Sequence, residues 1–234
     1  MVVSSPFEVT ASPSGNYLSA LIAGADRDTL AASTYSREAL RSSPRNRELL
    51  ERAFISSVSN GDMRETFPLA ERVLKLDSKN GLAHLALGLR ALKTRQFAQA
   101  RTELAKGGGG RQRDLTVTLL TGWAYAGAGD TRRALETLDK LKDERFAAFR
   151  DYHMGLIADL AGNNAEAGKR LKAAYESEKT TLRIVDTYAR FLTKRGEREE
   201  AKKIYLAFDQ LAPRHPLVLA ALADLKPAIP SPQR

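Results

Sequence analysis

The feature that most constrains this chain is a turn that returns at a nearly fixed interval. Gly-Asp-like pairs stand at Gly61-Asp62, Gly129-Asp130, Gly162-Asn163 and Gly196-Glu197, and Arg27-Asp28 and Arg95-Gln96 fill the same register. The first members, at 27, 61, 95, 129, 162 and 196, are spaced 34, 34, 34, 33 and 34 residues apart. Self-similarity at such a period marks a stacked array, in which a single unit cannot bury its apolar face alone.

Two further columns keep this register. Five residues after each turn comes Ala32, Thr66, Ala100, Ala134, Ala167 or Ala201. Seven residues before it comes Ala20, Phe54, Gly88, Gly122, Gly155 or Ala189. Apart from Thr66 and Phe54 these are small residues, and two small columns let two helices cross closely, since larger side chains would hold the backbones apart. Pro44, Ser78 and Pro213 share another column, with the turn chemistry that stops a helix. Each unit is therefore predicted to be an antiparallel helix pair, with units at 13–46, 47–80, 81–114, 115–147, 148–181 and 182–215. Residues 1–12 lack helical periodicity and predict a flexible arm. Residues 216–226 continue the register as a closing helix, and 227–234 form a tail after Lys226-Pro227. The closing helix is apolar for a cap, which raises self-association through it.

This pattern resembles the tetratricopeptide repeat (TPR) family, whose signature runs W-x2-L-G-x2-Y, then A-x3-F, then P. The matching positions are Leu87-Gly88, Gly122 with Tyr125, Ala134 with Leu138, and Ala201 with Tyr205 and Pro213. The resemblance implies an all-α fold, a right-handed superhelical solenoid of antiparallel helix pairs. It also implies a non-enzymatic scaffold that binds a protein or peptide in its concave groove. The chain is further similar to multi-repeat TPR proteins of alphaproteobacteria, often exported, which favours a periplasmic or exported location over the cytoplasm. A pentatricopeptide array, which would bind RNA, has a longer period and fits the small columns less well.

Composition excludes several classes. With no Cys, the chain has no disulfide, thiolate metal site or Cys nucleophile. No apolar run approaches the length of a membrane span. The opening "MVVSSPFEVTASPSG" has no basic n-region followed by an apolar h-region, although a chain starting after a cleaved signal would look the same. A net charge of +9 raises nucleic acid as a partner, but Lys and Arg are interleaved with Asp and Glu, as in "RGEREEAKK", which reads as a solvated face. Nucleic acid is the alternative to a protein partner, and the subunit of a homo-oligomer is a third reading.

The stretch "LAKGGGGRQRD", 104–114, is not a phosphate loop, because Arg111-Gln112 stands where Lys and a hydroxyl are needed and a helix precedes it. In register, Gly107 shares a column with Ala39, Val73, Leu141, Ala174 and Phe208. The glycines are thus predicted to end the second helix of unit three early and to make a flexible joint. His84, His153 and His215 form no zinc motif, and Asp151 and His153 point to different faces of one helix. No catalytic residue, metal or cofactor is expected.

Carrying the family's groove columns onto this chain gives Tyr17 and Leu21 in unit one, and Glu51, Ile55 and Val58 in unit two. Unit three gives Leu82, Leu85, Leu89, Leu92 and Lys93, and unit four Leu119 and Trp123. Unit five gives Phe149, Tyr152, Leu156 and Asp159, and unit six Arg183, Asp186, Arg190 and Lys194. The leucines at 82, 85, 89 and 92 make one stripe by their spacing. Burial by packing or by the N-terminal arm is the competing account of that stripe. The column in which some TPR domains hold carboxylate-binding Asn residues carries Leu21, Ile55, Leu89, Trp123, Leu156 and Arg190, so that clamp is not expected. Apolar anchors centred on Trp123 are expected instead, with Arg183, Arg190 and Lys194 facing an acidic end of the ligand.

Overall fold

In a computed structural model, residues 12–108 and 111–225 are described, the side chains of 111–113 excepted. The expected tail, nearly all of the expected arm, and Gly109 and Gly110 lie outside the described residues. The described residues form thirteen α-helices and no strand. In chain order they are α1 (Pro13–Ala25), α2 (Thr29–Ser42), α3 (Arg47–Asn60), α4 (Met63–Leu76), α5 (Gly81–Lys93) and α6 (Phe97–Leu104). After these come α7 (Arg111–Gly127), α8 (Thr131–Leu138), α9 (Ala147–Leu160), α10 (Asn164–Ser177), α11 (Leu182–Lys194), α12 (Arg198–Leu211) and α13 (Pro216–Asp224). A single 3-10 turn, Glu144–Phe146, leads into α9. Within each half of the chain, helices adjacent in sequence pack on one another, the arrangement of an all-α helical repeat.

The backbone explains the turn column. Gly61, Gly129, Gly162 and Gly196 have φ of 75, 82, 75 and 84°, and Arg27 and Arg95 both have φ of 60°. All six positions are left-handed, a conformation that glycine adopts freely and that costs other L-residues about 1–2 kcal/mol. The next residue then caps the second helix. Asp28, Asp62, Asp130 and Asn163 accept from the backbone N–H of Ala31, Glu65, Arg133 and Glu166 at 2.9, 3.3, 3.0 and 3.2 Å. Gln96 and Glu197 stand in the same place without a side-chain cap bond.

The two small columns are the contact between paired helices. Ala32, Thr66, Ala100, Ala134, Ala167 and Ala201 are all buried, five of them at 0% exposure. Opposite them, a Cβ on Gly88, Gly122 or Gly155 would stand 2.8, 1.8 or 2.7 Å from a methyl carbon of Leu104, Leu138 or Leu171. The larger residue of each pair therefore fills the space that glycine leaves. Repeat two reverses the pairing: Phe54 stands in the glycine column, Ala70 in the leucine column, and both are buried in one cluster. Thr66 fits its column because its one hydroxyl proton is shared between Asp62 O at 2.8 Å and Ser57 Oγ at 3.0 Å. In repeat one both partners, Ala20 and Ser36, are small, and a pocket of ≈ 290 Å³ opens beside them.

The chain divides into two compact halves between Arg113 and Asp114, in the first turn of α7. The core of the N-terminal half is Leu40, Leu50, Ala53, Phe54, Leu69, Ala70 and Val73 with Ala83, Ala86 and Leu87. Its buried histidine, His84, is bound to Glu103 Oε2 at 2.7 Å and to Ser78 O at 3.0 Å. The C-terminal half holds a large cluster running from Ala158 to Val218, with Leu171, Tyr188, Leu192 and Tyr205 among its members. A smaller cluster there joins Ala134, Leu138, Met154 and Ile157.

Helix α6 does stop early, at Leu104. Gly107 nevertheless keeps its place in the core column: it is buried, and a Cβ there would meet Leu104 O at 3.2 Å and the Leu85 backbone at 3.4 Å. It therefore lies against α5, while Gly109 and Gly110, the rest of the expected joint, are outside the described residues. Helix α8 is equally short, ending at Leu138 with neither Gly nor Pro to mark the stop.

Candidate functional site

In the N-terminal half, each of the three helices that open a repeat presents one large apolar side chain from the same column. Leu21 is 38% exposed, Ile55 54% and Leu89 40%. Tyr17 is held in place, its hydroxyl donating to Glu48 Oε1 at 2.8 Å and its ring lying 5.0 Å beneath the Arg52 guanidinium. Glu48 in turn pairs with Arg52 at 3.1 Å. Both contacts hold the Glu48 carboxyl below the usual range, and the bond to Glu48 is the main cause that raises the Tyr17 phenol. Glu51 is bound to Arg47 at 2.8 Å. The leucine stripe is less uniform than its spacing suggests. Leu82 leans on the core cluster with Val58, Leu85 and Leu92 are half-buried, and Leu89 alone of the four is exposed.

In the C-terminal half the same column holds Trp123 and Leu156, both half-buried. Trp123 and Leu119 rest on the cluster of Ala134, Leu138, Met154 and Ile157. The indole Nε1–H donates to His153 Nδ1 at 3.0 Å, and the rings meet edge-on with centroids 6.1 Å apart. Because indole only donates, Nδ1 must be the unprotonated nitrogen, and the imidazole proton sits on Nε2. Tyr152 stacks edge-on against His153 at 5.3 Å, and its hydroxyl lies 3.3 Å from Thr187 Oγ1. Burial, reinforced by the nearby Arg183 charge, holds the His153 imidazole below its ordinary pKa.

The Tyr152 and His153 rings border a cavity of ≈ 580 Å³, framed also by Ala148, Phe149, Arg183 and Ile184. Phe149 is 55% exposed at its wall. Of the three cations placed at the polar end of the groove, Arg190 pairs with Asp186 at 2.8 Å and Lys194 with Asp159 at 3.3 Å. Asp186 also accepts from the Tyr205 hydroxyl at 2.8 Å, and burial is the chief cause that pushes this phenol far up. Arg183 has no ion pair or hydrogen bond among the described residues.

The role of His153 is not visible in the sequence. It lies outside the groove columns and is 30 residues from Trp123. One regularity points to it: Tyr17 and Glu48, 31 residues apart, join consecutive opening helices in the same way, and the Trp123–His153 interval falls in the repeat that is one residue shorter. Asp151, two residues before His153, instead binds Arg150 at 3.0 Å and Arg170 at 2.8 Å. Among the described residues no three His, Asp or Glu side chains gather as a metal site. No described helix is long and apolar enough to cross a membrane.

The sequence matches no family model and no curated protein. Solved structures do match. A tetratricopeptide repeat protein from Parabacteroides merdae superposes with a TM-score of 0.64 at 13% identity, over 93% of this chain and 86% of that one. Pseudomonas aeruginosa pilF gives 0.59 at 15% identity, over 92% and 97%. MamA from Desulfovibrio magneticus RS-1 gives 0.60 at 20% identity, over 72% and 96%. At these identities the likeness speaks for the fold, which is that of tetratricopeptide-repeat proteins.

Proposed function

We propose that the chain is a non-enzymatic scaffold whose repeat-opening helices bind a protein or peptide through apolar anchors. One observation carries this reading: a single column places Leu21, Ile55 and Leu89 in solvent at 38, 54 and 40% exposure. Large apolar side chains are exposed elsewhere too, Leu30 at 66% and Leu160 at 73%, so what singles these three out is their recurrence in one column of successive repeats. Trp123, in the same column, offers a large area with few rotors and is the natural centre of the surface on the C-terminal half. Arg183, Arg190 and Lys194 suit acidic residues of the partner; two of them are in exposed ion pairs, which are weak enough to be exchanged.

The test compares the intact chain with an Ile55→Gln/Leu89→Gln variant as bait in extract of the source organism. A partner retained by the first and lost by the second, with unchanged circular dichroism, supports the reading. Identical retention by both overturns it.

A second reading, self-association, rests on α13, where Leu217 and Leu219 remain 61 and 48% exposed. Light scattering on Leu217→Gln/Leu219→Gln against the native chain tests it. Equal masses across a concentration series exclude that surface as the contact.

A further inference from the structure

The cavity beside His153 carries chemistry that a peptide groove does not require. Its apolar wall comes from Ala148, Phe149, Tyr152 and Ile184. Most of its polar groups are already engaged. Arg145 is gripped by both carboxylate oxygens of Asp143, at 2.9 and 2.5 Å. Glu178 accepts from the backbone N–H of Thr180 at 3.1 Å and from its hydroxyl. The Tyr152 hydroxyl has Thr187. Three donors remain without an acceptor among the described residues: the Ser177 hydroxyl, the Arg183 guanidinium and the His153 Nε2–H, whose position follows from the Trp123 bond at Nδ1. Glu144, also at the cavity, lies beyond ion-pair distance of Arg183.

We propose that this cavity binds a small apolar monocarboxylate, an aromatic or branched aliphatic acid, with its carboxylate on Arg183 and His153 Nε2 and its hydrocarbon against Phe149, Tyr152 and Ile184. A volume of ≈ 580 Å³ lies within the range of about 300–1,000 Å³ usual for small-molecule sites. A planar guanidinium is matched to a carboxylate, and a neutral imidazole adds a second donor without adding charge. Glu144 and Glu178, both at the cavity, disfavour a second carboxylate on the ligand. The inference goes beyond the scaffold reading, since no protein partner is needed for the site to fill.

Calorimetry with phenylacetate, 3-phenylpropionate and 4-methylpentanoate tests the proposal, with 3-phenylpropionamide as the neutral twin and phenylsuccinate as the diacid. The ¹⁵N shift of His153 Nε2 reports the site. At least one monoacid is expected to bind saturably and move that resonance, with the amide and the diacid at least about tenfold weaker. Arg183→Gln, an exposed substitution, should abolish the preference for acid over amide while leaving the melting curve unchanged at about pH 8, where His153 is neutral in both folded and unfolded chains. Failure of all three acids, equal binding of the amide, or a preference that survives Arg183→Gln overturns it. None of these results alters partner retention in the Ile55/Leu89 comparison, so the two readings fail separately.

Discussion

Gly122 and Leu138 occupy one another's space: a methyl group on the glycine would lie 1.8 Å from Leu138 Cδ1. Both residues are buried, Leu138 completely. Gly122→Ala is therefore expected to cost about 1–3 kcal/mol through overpacking, and Leu138→Ala about 2–5 kcal/mol through the hole it leaves. In the double variant the added methyl enters space that the leucine has vacated, so the loss should fall short of the sum. Urea melts of the four proteins check this; strict additivity would mean that the two side chains do not share the volume.

At Arg95 and Gln96 the backbone already has the shape of the better turns. Arg95 has φ 60°, and Gln96 at φ −84°, ψ 64° lies close to Asp130 at −94°, 71°. Arg95→Gly should relieve about 1 kcal/mol of left-handed strain, and Gln96→Asp should add a cap of about 1 kcal/mol. Thermal unfolding of the double variant is expected to shift upward. No shift would show that Arg95 makes a compensating contact in solution.

His153 makes stability depend on pH. The folded chain keeps the imidazole neutral where the unfolded chain would protonate it. As pH falls below about 6.5, the unfolded state takes up a proton that the folded state refuses, so stability declines until the lowered folded-state pKa is passed. His153→Gln, which retains an acceptor for Trp123, should flatten this decline. Arg183→Gln should move the His153 NMR midpoint upward by removing the neighbouring cation. A midpoint above about 6.5 in the native protein contradicts the assignment.

Repeat one lacks the large partner that the other repeats possess. Ser36→Leu would fill the gap beside Ala20, gaining about 1.5–3 kcal/mol from burial against about 1 kcal/mol for the lost contact with Ser56 Oγ, which lies 3.2 Å away. A net gain of about 1 kcal/mol in a denaturant titration is the expected result. A lower midpoint would show that the pocket is too shallow for the side chain.

What is legible in the sequence is what the backbone dictates once per repeat. The turn column can be read because left-handed geometry selects glycine, and the register then locates Arg27 and Arg95, whose own chemistry gives no hint of it. The small columns can be read because close helix crossing excludes bulk. The end of α8 cannot, since residues 139–143 contain no residue that forbids a helix. Nor can the site beside Trp123. The groove columns compare equivalent positions in successive repeats, whereas the Trp123–His153 bond joins inequivalent ones. At Gly107 the register gives the core column, but only the position of Leu85 shows how little room a side chain would have there.

The inverted pair in repeat two limits how such a gene can be rearranged. Gly88, Gly122 and Gly155 are matched to leucines, whereas Phe54 stands opposite Ala70. A crossover cut between the two helices of repeats two and three would join Phe54 to Leu104, which collide, or Gly88 to Ala70, which leave a void. A crossover cut at the end of a repeat keeps each bulky residue with its small mate. Exchange between these repeats is thus tolerated at one phase of the period and rejected at the other, so a shuffled library should yield folded chains from cuts near residues 46 and 80 and few from cuts near 62 and 96.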